Sequence, residues 1–291
     1  MVKRLPRHRV VARKIKFQLK DRLGEPLHLN LLSLVVRLFG SFRAKVAFDL
    51  VERRKYAFPL LKAADYAKAL GIRKIYALEF GVAAGAGLVN LAGLARHVTR
   101  ETGVEIGIVG FDSGTGMPRP VDYRDYPEEF IEGDFPLPDP EALRRSLPPE
   151  VRVIYGPLQE TARSFVETLD APVGFVSLDL AYYSSTADAM AALLGAPESY
   201  LPMTLVYLGA VHIDNANPAV GELLAVREFN ERHRFRQVHP FTRLRDKRVF
   251  KNAWWIGKIY TLHVLDHPVR AGGRQRARDA WVLDQPYDPV A

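Results

Sequence analysis

The chain of 291 residues has no cysteine. That excludes a disulfide framework, a thiol nucleophile and thiolate metal ligation, and it fits a reducing compartment. Long apolar runs are also missing. The longest near the start, LHLNLLSLVVRLFGSF (27–42), is broken by Asn30, Ser33 and Arg37. It is too short and too polar to span a bilayer and lacks the layout of a cleavable signal peptide, so we expect a soluble, cytoplasmic protein. There is no internal repeat and no low-complexity tract. What is present is core material: 48 % of residues are hydrophobic and 10 % aromatic, which excludes a disordered chain.

The formal net charge of +8 is unevenly placed. Residues 1–55 hold 15 Lys/Arg against 4 Asp/Glu, and the rest of the chain holds 26 against 29. The opening MVKRLPRHRVVARKIKFQLK reads as a solvated basic arm. Contact with an anionic membrane or a polyanion through counterion release is a second reading, and an organelle transit peptide a third. Because the body is slightly acidic, no specific nucleic-acid partner is expected.

Residues 27–70 carry apolar positions at three- and four-residue spacing and read as helical, with Gly71 as the stop. Beyond it, short apolar runs (IYALEF, EIGIVGF, VRVIY, VGFVSLDL, TLVYL) alternate with amphipathic segments. Strands separated by helices imply an α/β fold, with parallel pairing and helices on both faces of a central sheet. NAWWIGKIYTLHVLD reads as one or two closing strands. Asp139 before Pro140 is an expected helix cap, and Ser185 with Asp188 an expected capping box. The domains are then a basic helical extension at 1–72, a main domain at 73–268, and a poorly ordered tail at 269–291.

The most informative stretch is LEFGVAAGAGLVNLAGLA (78–95), where a strand ends in an acid, three glycines follow, and a helix begins. Gly81, Gly85 and Gly87 strip side chains from a strand-to-helix turn, and the helix aims its first amides at whatever approaches. The glycines are spaced G-x-x-x-G-x-G. Glu79, two residues before the first, would repel a pyrophosphate and suit a ligand bearing an ammonium group. A tight turn that binds nothing is the plain alternative. The next strand ends at Asp112 and Ser113, where Rossmann-like folds place an acid for ribose hydroxyls.

EFGVAAGAGLVNLA, GFDSGTGMP, IYGPLQET, FVSLDLAYYSST and GELLAVREFN occur in order. Over about residues 73–235 the chain resembles the class I S-adenosylmethionine-dependent methyltransferases of the macrocin and novobiocin O-methyltransferase type. That resemblance implies a Rossmann-like, doubly wound, mostly parallel seven-stranded sheet whose last strand is antiparallel. It implies S-adenosylmethionine as cofactor, with Glu79, Gly81, Gly85 and Gly87 around its methionine part and Asp112 and Ser113 at the ribose. One departure is Pro157, which follows Gly156 where the family tends to have an acid.

The resemblance further implies Mg²⁺, held by Asp-x-Asp after the fourth strand and an acidic pair after the fifth. Here the first motif is Asp179-Leu180-Ala181, so a methyl group stands where the family has its base. The second pair falls on Gly209-Ala210 if the fifth strand ends at Leu208, or on Asp214-Asn215 if it runs on. The second alignment completes a metal set of Asp179, Asp214 and Asn215, with Asp179 and His212 as catalytic candidates. Tyr182 and Tyr183 read as packing residues, and the proline-rich loop 117–139 as a lid over the site. The expected acceptor is a hydroxyl of a small molecule or sugar. The alternative is a degenerate methyltransferase fold acting as a cofactor-binding or scaffold protein. A nicotinamide dehydrogenase is disfavoured by the glycine spacing and Glu79. The residues do not fix the oligomeric state; the family often forms dimers or larger assemblies, so the resemblance allows a homo-oligomer.

Overall fold

In the computed structural model, which describes residues 21–211, 213 and 216–270, the apolar runs become one seven-stranded sheet. The strands are β1 (Lys74–Phe80), β2 (Glu105–Asp112), β3 (Arg152–Tyr155), β4 (Val173–Leu178), β5 (Tyr200–Leu208), β6 (Arg236–Pro240) and β7 (Ile259–Val264). Their order is β3-β2-β1-β4-β5-β7-β6, with β1 to β5 parallel and β7 antiparallel to both neighbours. The fold is therefore Rossmann-like and doubly wound. β4 is buried at every residue, as a central strand covered on both faces must be.

The described helices are α1 (Leu27–Phe39), α2 (Phe42–Ala47), α3 (Arg54–Ala69), α4 (Ala86–Thr102), α5 (Pro140–Ser146), α6 (Leu158–Val166), α7 (Tyr183–Met190) and α8 (Gly221–Arg232). One face of the sheet packs against α3 and α4 through Leu60, Ala63, Ala64, Leu88 and Leu91. The other packs against α6, α7 and α8 through Val166, Met190, Leu224 and Phe229. α3 contacts β1, β4 and β5 directly. It completes the core, so the boundary placed at residue 72 marks a change in sequence pattern, not a gap in packing.

The cap at Asp139 forms, its side chain accepting from the Ala142 amide at 2.8 Å. The expected box at Ser185 does not. α7 begins at Tyr183, and Asp188 instead accepts from Gln159 at 3.0 Å. The amide and hydroxyl of Ser184 are taken by Asp125, each at 2.8 Å, from a loop 59 residues away. β6 is a further departure: RQVHP was not expected as a strand, and it pairs with the closing strand β7.

Phe80 lies opposite both Phe111 and Leu178, and Leu178 opposite Leu208. The carboxyl ends of β1, β2, β4 and β5 thus form one rim. The chain leaves β1 for β2 and β3 on one side, then returns to β4 on the other. The rim between β1 and β4 is the switch point at which open α/β sheets bind ligands. No described helix is long and apolar enough to cross a membrane. Residues 1–20 of the basic arm, and most of the tail assigned to 269–291, lie outside the described residues.

Candidate functional site

At the end of β1, Glu79 is only 2 % exposed. Its Oε1 accepts a hydrogen bond of 3.0 Å from the Tyr56 hydroxyl, which accepts one of 3.0 Å from Ser177. Its Oε2 is buried and has no partner among the described residues. Burial pushes the carboxyl up to about 8, the Tyr56 hydrogen bond opposing this only in part. A buried acid with an unmade bond is costly unless something completes it.

The glycines fit around this acid. A Cβ at Gly87 would lie 1.9 Å from Glu79 Oε1, so only glycine lets the first turn of α4 close over the carboxylate. Gly81 has φ of 87°, and a Cβ there would stand 2.6 Å from the Asp179 carbonyl oxygen. Gly85 is the N-cap of α4, and no side chain caps that helix. The amides of its first turn have no side-chain oxygen to meet.

Asp112 joins the turn from the side. One carboxylate oxygen accepts from the Ala83 amide at 2.8 Å and the other from the Gly114 amide at 2.7 Å. It therefore ties the glycine turn to the loop after β2. Ser113 donates to the Gly116 carbonyl at 2.8 Å, a local turn bond. A cleft of about 880 Å³ borders the turn at Ala84, Gly85 and Ala86 and runs between α2, α4 and α5. None of Glu79, Asp112 and Asp179 lines it.

Across the switch point, Asp179 follows β4. Its carboxylate pairs with the Lys55 ammonium of α3 at 3.4 Å. Lys55 also donates to the Tyr207 hydroxyl at 2.7 Å and lies 4.2 Å from the centre of that ring. Burial lowers the Lys55 pKa and Asp179 opposes the shift. Pro59 within α3 has no amide to offer the Lys55 carbonyl four residues back, so the helix is loosened where it delivers this side chain. Nearby, Lys258 donates to the Gly209 carbonyl, and burial lowers its pKa as well.

Glu222, at the start of α8, is 2 % exposed and accepts from the amides of Ala210 at 2.6 Å and Leu180 at 3.4 Å. It clamps the loops after β4 and β5, and burial raises it to about 7. Tyr182 is fully buried and meets Phe130 of the 117–139 loop edge-on at 6.0 Å, while Tyr183 donates to Glu228 at 2.7 Å. That loop is pinned through Asp125, which also accepts from the Val121 amide at 2.9 Å.

The described residues do not fit a divalent cation. β5 ends at Leu208, which places Gly209-Ala210 at its tip. A Cβ at Gly209 would fall 1.8 Å from Asp179 Oδ1, so this position holds no ligand and has no room for one. Ala181 offers a methyl group, at φ of 62°, and the one carboxylate between them already holds Lys55. No group of three or more His, Asp or Glu side chains suited to a metal occurs among the described residues. His212, Asp214 and Asn215 lie outside them.

The rim thus brings together Glu79, Gly81, Gly85, Gly87 and Asp112 on one side of the switch point, and Asp179 on the other. Sequence reasoning missed Lys55, Tyr56, Glu222 and Lys258. Glu222 had a signal, as an acid opening an apolar helix after the fifth strand. Lys55 and Tyr56 sat in a basic helical stretch indistinguishable from a solvated face.

No family model matches this chain, and no curated protein matches its sequence. Solved structures do resemble it in fold. The O-methyltransferase NovP is 18 % identical, over 62 % of this chain and 72 % of that one, with a TM-score of 0.46. CalS11, a calicheamicin methyltransferase, is 20 % identical over 78 % and 86 %, with a TM-score of 0.48. An O-methyltransferase from Bacillus cereus in complex with SAH is 17 % identical over 76 % and 87 %, with a TM-score of 0.36.

Proposed function

We propose that the chain is an S-adenosylmethionine-dependent methyltransferase acting on a hydroxyl of a small molecule or sugar. The observation that carries this is Glu79: a buried carboxylate with one unpartnered oxygen, against an uncapped helix start, at the switch point of the sheet. In its ionised form the acid wants a hydrogen-bond donor at this oxygen, and a cationic donor restores the charge that burial suppresses. A phosphate cofactor meets the wrong sign there. The α-ammonium of S-adenosylmethionine meets the right one.

In this reading Glu79 takes the ammonium, Gly81, Gly85 and Gly87 let the methionine part lie against the backbone, and Asp112 and Ser113 hold the ribose. When bound, the cofactor would supply a methyl group made electrophilic by its sulfonium, the acceptor oxygen taking the methyl and a neutral thioether being the leaving group. The protein then has to orient the acceptor and accommodate its proton. Asp179 is the described carboxylate beside the switch point and the candidate acceptor of that proton, with His212 as the other candidate. Lys55 sets a fixed positive charge against Asp179, and in place of a divalent ion it stabilises negative charge building on the acceptor oxygen. Ala181 favours a second reading, a cofactor-binding scaffold without turnover, because it lacks the lone pair that proton transfer needs.

The test is calorimetric titration with S-adenosylhomocysteine, with and without Mg²⁺, on the native chain and on Glu79→Gln. One site per chain with Kd near micromolar, about −8 kcal/mol, weakened in Glu79→Gln and indifferent to Mg²⁺, supports the reading. Absence of binding removes it. Binding without turnover of any hydroxylated acceptor selects the scaffold.

A further inference from the structure

The first described helix is inside out. The buried residue of α1 is Ser33, whose hydroxyl donates to the Asn30 carbonyl at 2.6 Å. Asn30 in turn donates to the carbonyls of Arg22 and Glu25 at 3.1 and 3.4 Å. Asn30 and Ser33 therefore face the protein, beside the part-buried Leu29 and Val36. The outer side carries Leu27, Leu31, Leu34, Val35, Leu38 and Phe39, with exposures from 54 % to 83 %. Leu27, Leu31, Leu34 and Leu38 recur at helical spacing and form one continuous ridge along the helix. Scattered exposed leucines need no explanation, but a ridge of this kind marks a surface awaiting a partner.

Charge chooses among partners. No Asp or Glu occurs between Glu25 and Asp49, and residues 1–20 contain eight Lys/Arg and no acid, with Asp21 and Glu25 the two acids between that segment and the helix. A second copy of the chain laid along the ridge would bring two such cationic segments to one interface, and like charge opposes that. A polyanion such as RNA satisfies the charge and leaves the leucines in water. An anionic bilayer surface satisfies both. The helix has 13 residues, about 20 Å of rise, which is too short to cross the hydrocarbon and suited to lying in the headgroup plane.

We propose that α1 is an interfacial anchor for anionic lipid, with its leucine ridge turned toward the acyl chains and the basic N-terminal sequence supplying the charge. This does not rest on the methyltransferase reading. The two fail separately, because vesicle binding needs no cofactor and cofactor binding needs no vesicle.

The test is flotation of the full-length chain with vesicles of phosphatidylcholine alone and of phosphatidylcholine containing roughly a third of phosphatidylglycerol, enough to give a negative surface. Sedimentation velocity on the same protein reads its assembly state. The expected result is flotation with the anionic vesicles only, reduced by raised salt. The variant Leu31→Ser/Leu38→Ser, both at exposed positions, is expected to keep its thermal midpoint and to lose roughly tenfold in partitioning per leucine. Equal binding to neutral vesicles overturns the charge argument, and flotation unchanged in the double variant overturns the role of α1. A dimer that the double variant dissolves, with no flotation, assigns the ridge to a second copy and overturns the proposal. So does binding to RNA without binding to vesicles.

Discussion

The rim of the sheet has two halves built on different plans. After β1 and β2 the site is made of main chain and two acids: Glu79, whose Oε2 has no partner among the described residues, with Gly81, Gly85 and Gly87, and Asp112 holding the turn in place. After β4 and β5 the site is made of long side chains that already satisfy one another: Lys55 on Asp179 and Tyr207, Lys258 on the Gly209 carbonyl, Glu222 on two loop amides. The first half keeps one buried oxygen unpaired among the described residues. The second carries its own counter-charge. Backbone cradles tolerate almost no added volume, whereas side-chain networks are sensitive instead to the loss of a partner.

The sharpest way to break this contrast is Gly87→Ala. The new methyl collides with Glu79 Oε1, so S-adenosylhomocysteine affinity should fall about a hundredfold or more, with a stability loss of about 1–3 kcal/mol. Calorimetry and chemical denaturation check the two. Lys55→Met probes the other half. It should lower turnover about tenfold or more through loss of the fixed charge, and leave S-adenosylhomocysteine affinity nearly unchanged. A chelator should leave turnover of the native chain unaffected. A fall in cofactor affinity equal to the fall in rate would erase the division between the halves.

Asp125→Ala removes the acceptor of three hydrogen bonds from a fully buried position and strands their donors. It should cost about 2–3 kcal/mol by denaturation and loosen loop 117–139 to proteolysis, with the glycine turn intact. The last expected effect is on pH dependence. The folded-state values of Glu79 and Glu222 are raised to about 8 and about 7. Their unfolded values are those of an ordinary glutamate, so between about pH 4.3 and those raised values the native state binds more protons than the unfolded one. Stability contributed by the neutral acids is complete at low pH and drains away as pH rises through 7 and 8. Thermal midpoints of the ligand-free protein should decline over that window, and Glu79→Gln should flatten the upper part of the decline. A profile flat between pH 7 and 8 in the native chain would show that Glu79 has a cationic partner before any ligand arrives.

The two halves were also unequally readable. Glu79 and its glycines occupy nine consecutive residues, so the strand, turn and helix could be placed from pattern alone, and α4 begins at Ala86 as the spacing predicts. Lys55 reaches Asp179 across 124 residues, and nothing local distinguishes it from Arg53 or Arg54 beside it. The cap of α7 was misassigned for a related reason: Asp125, from a separate loop, outcompetes the residues within the helix. β6 escaped because RQVHP is short, half polar and ends in proline. The alignment after β5 stayed open in the sequence because both alternatives had a local argument. The end of that strand at Leu208 puts Gly209 against Asp179.

α3 belongs to both halves and to the core. Leu60, Ala63, Ala64 and Ala67 lock its phase against the sheet, while Lys55 and Tyr56, one turn earlier, reach Asp179 and Glu79. Removing a single residue between Tyr56 and Leu60 would leave the packed part in register and swing both side chains about 100° around the axis. The helix works as a cam: its rotational setting, fixed by buried alanines of the core, sets a positive charge and a hydroxyl on opposite sides of the switch point.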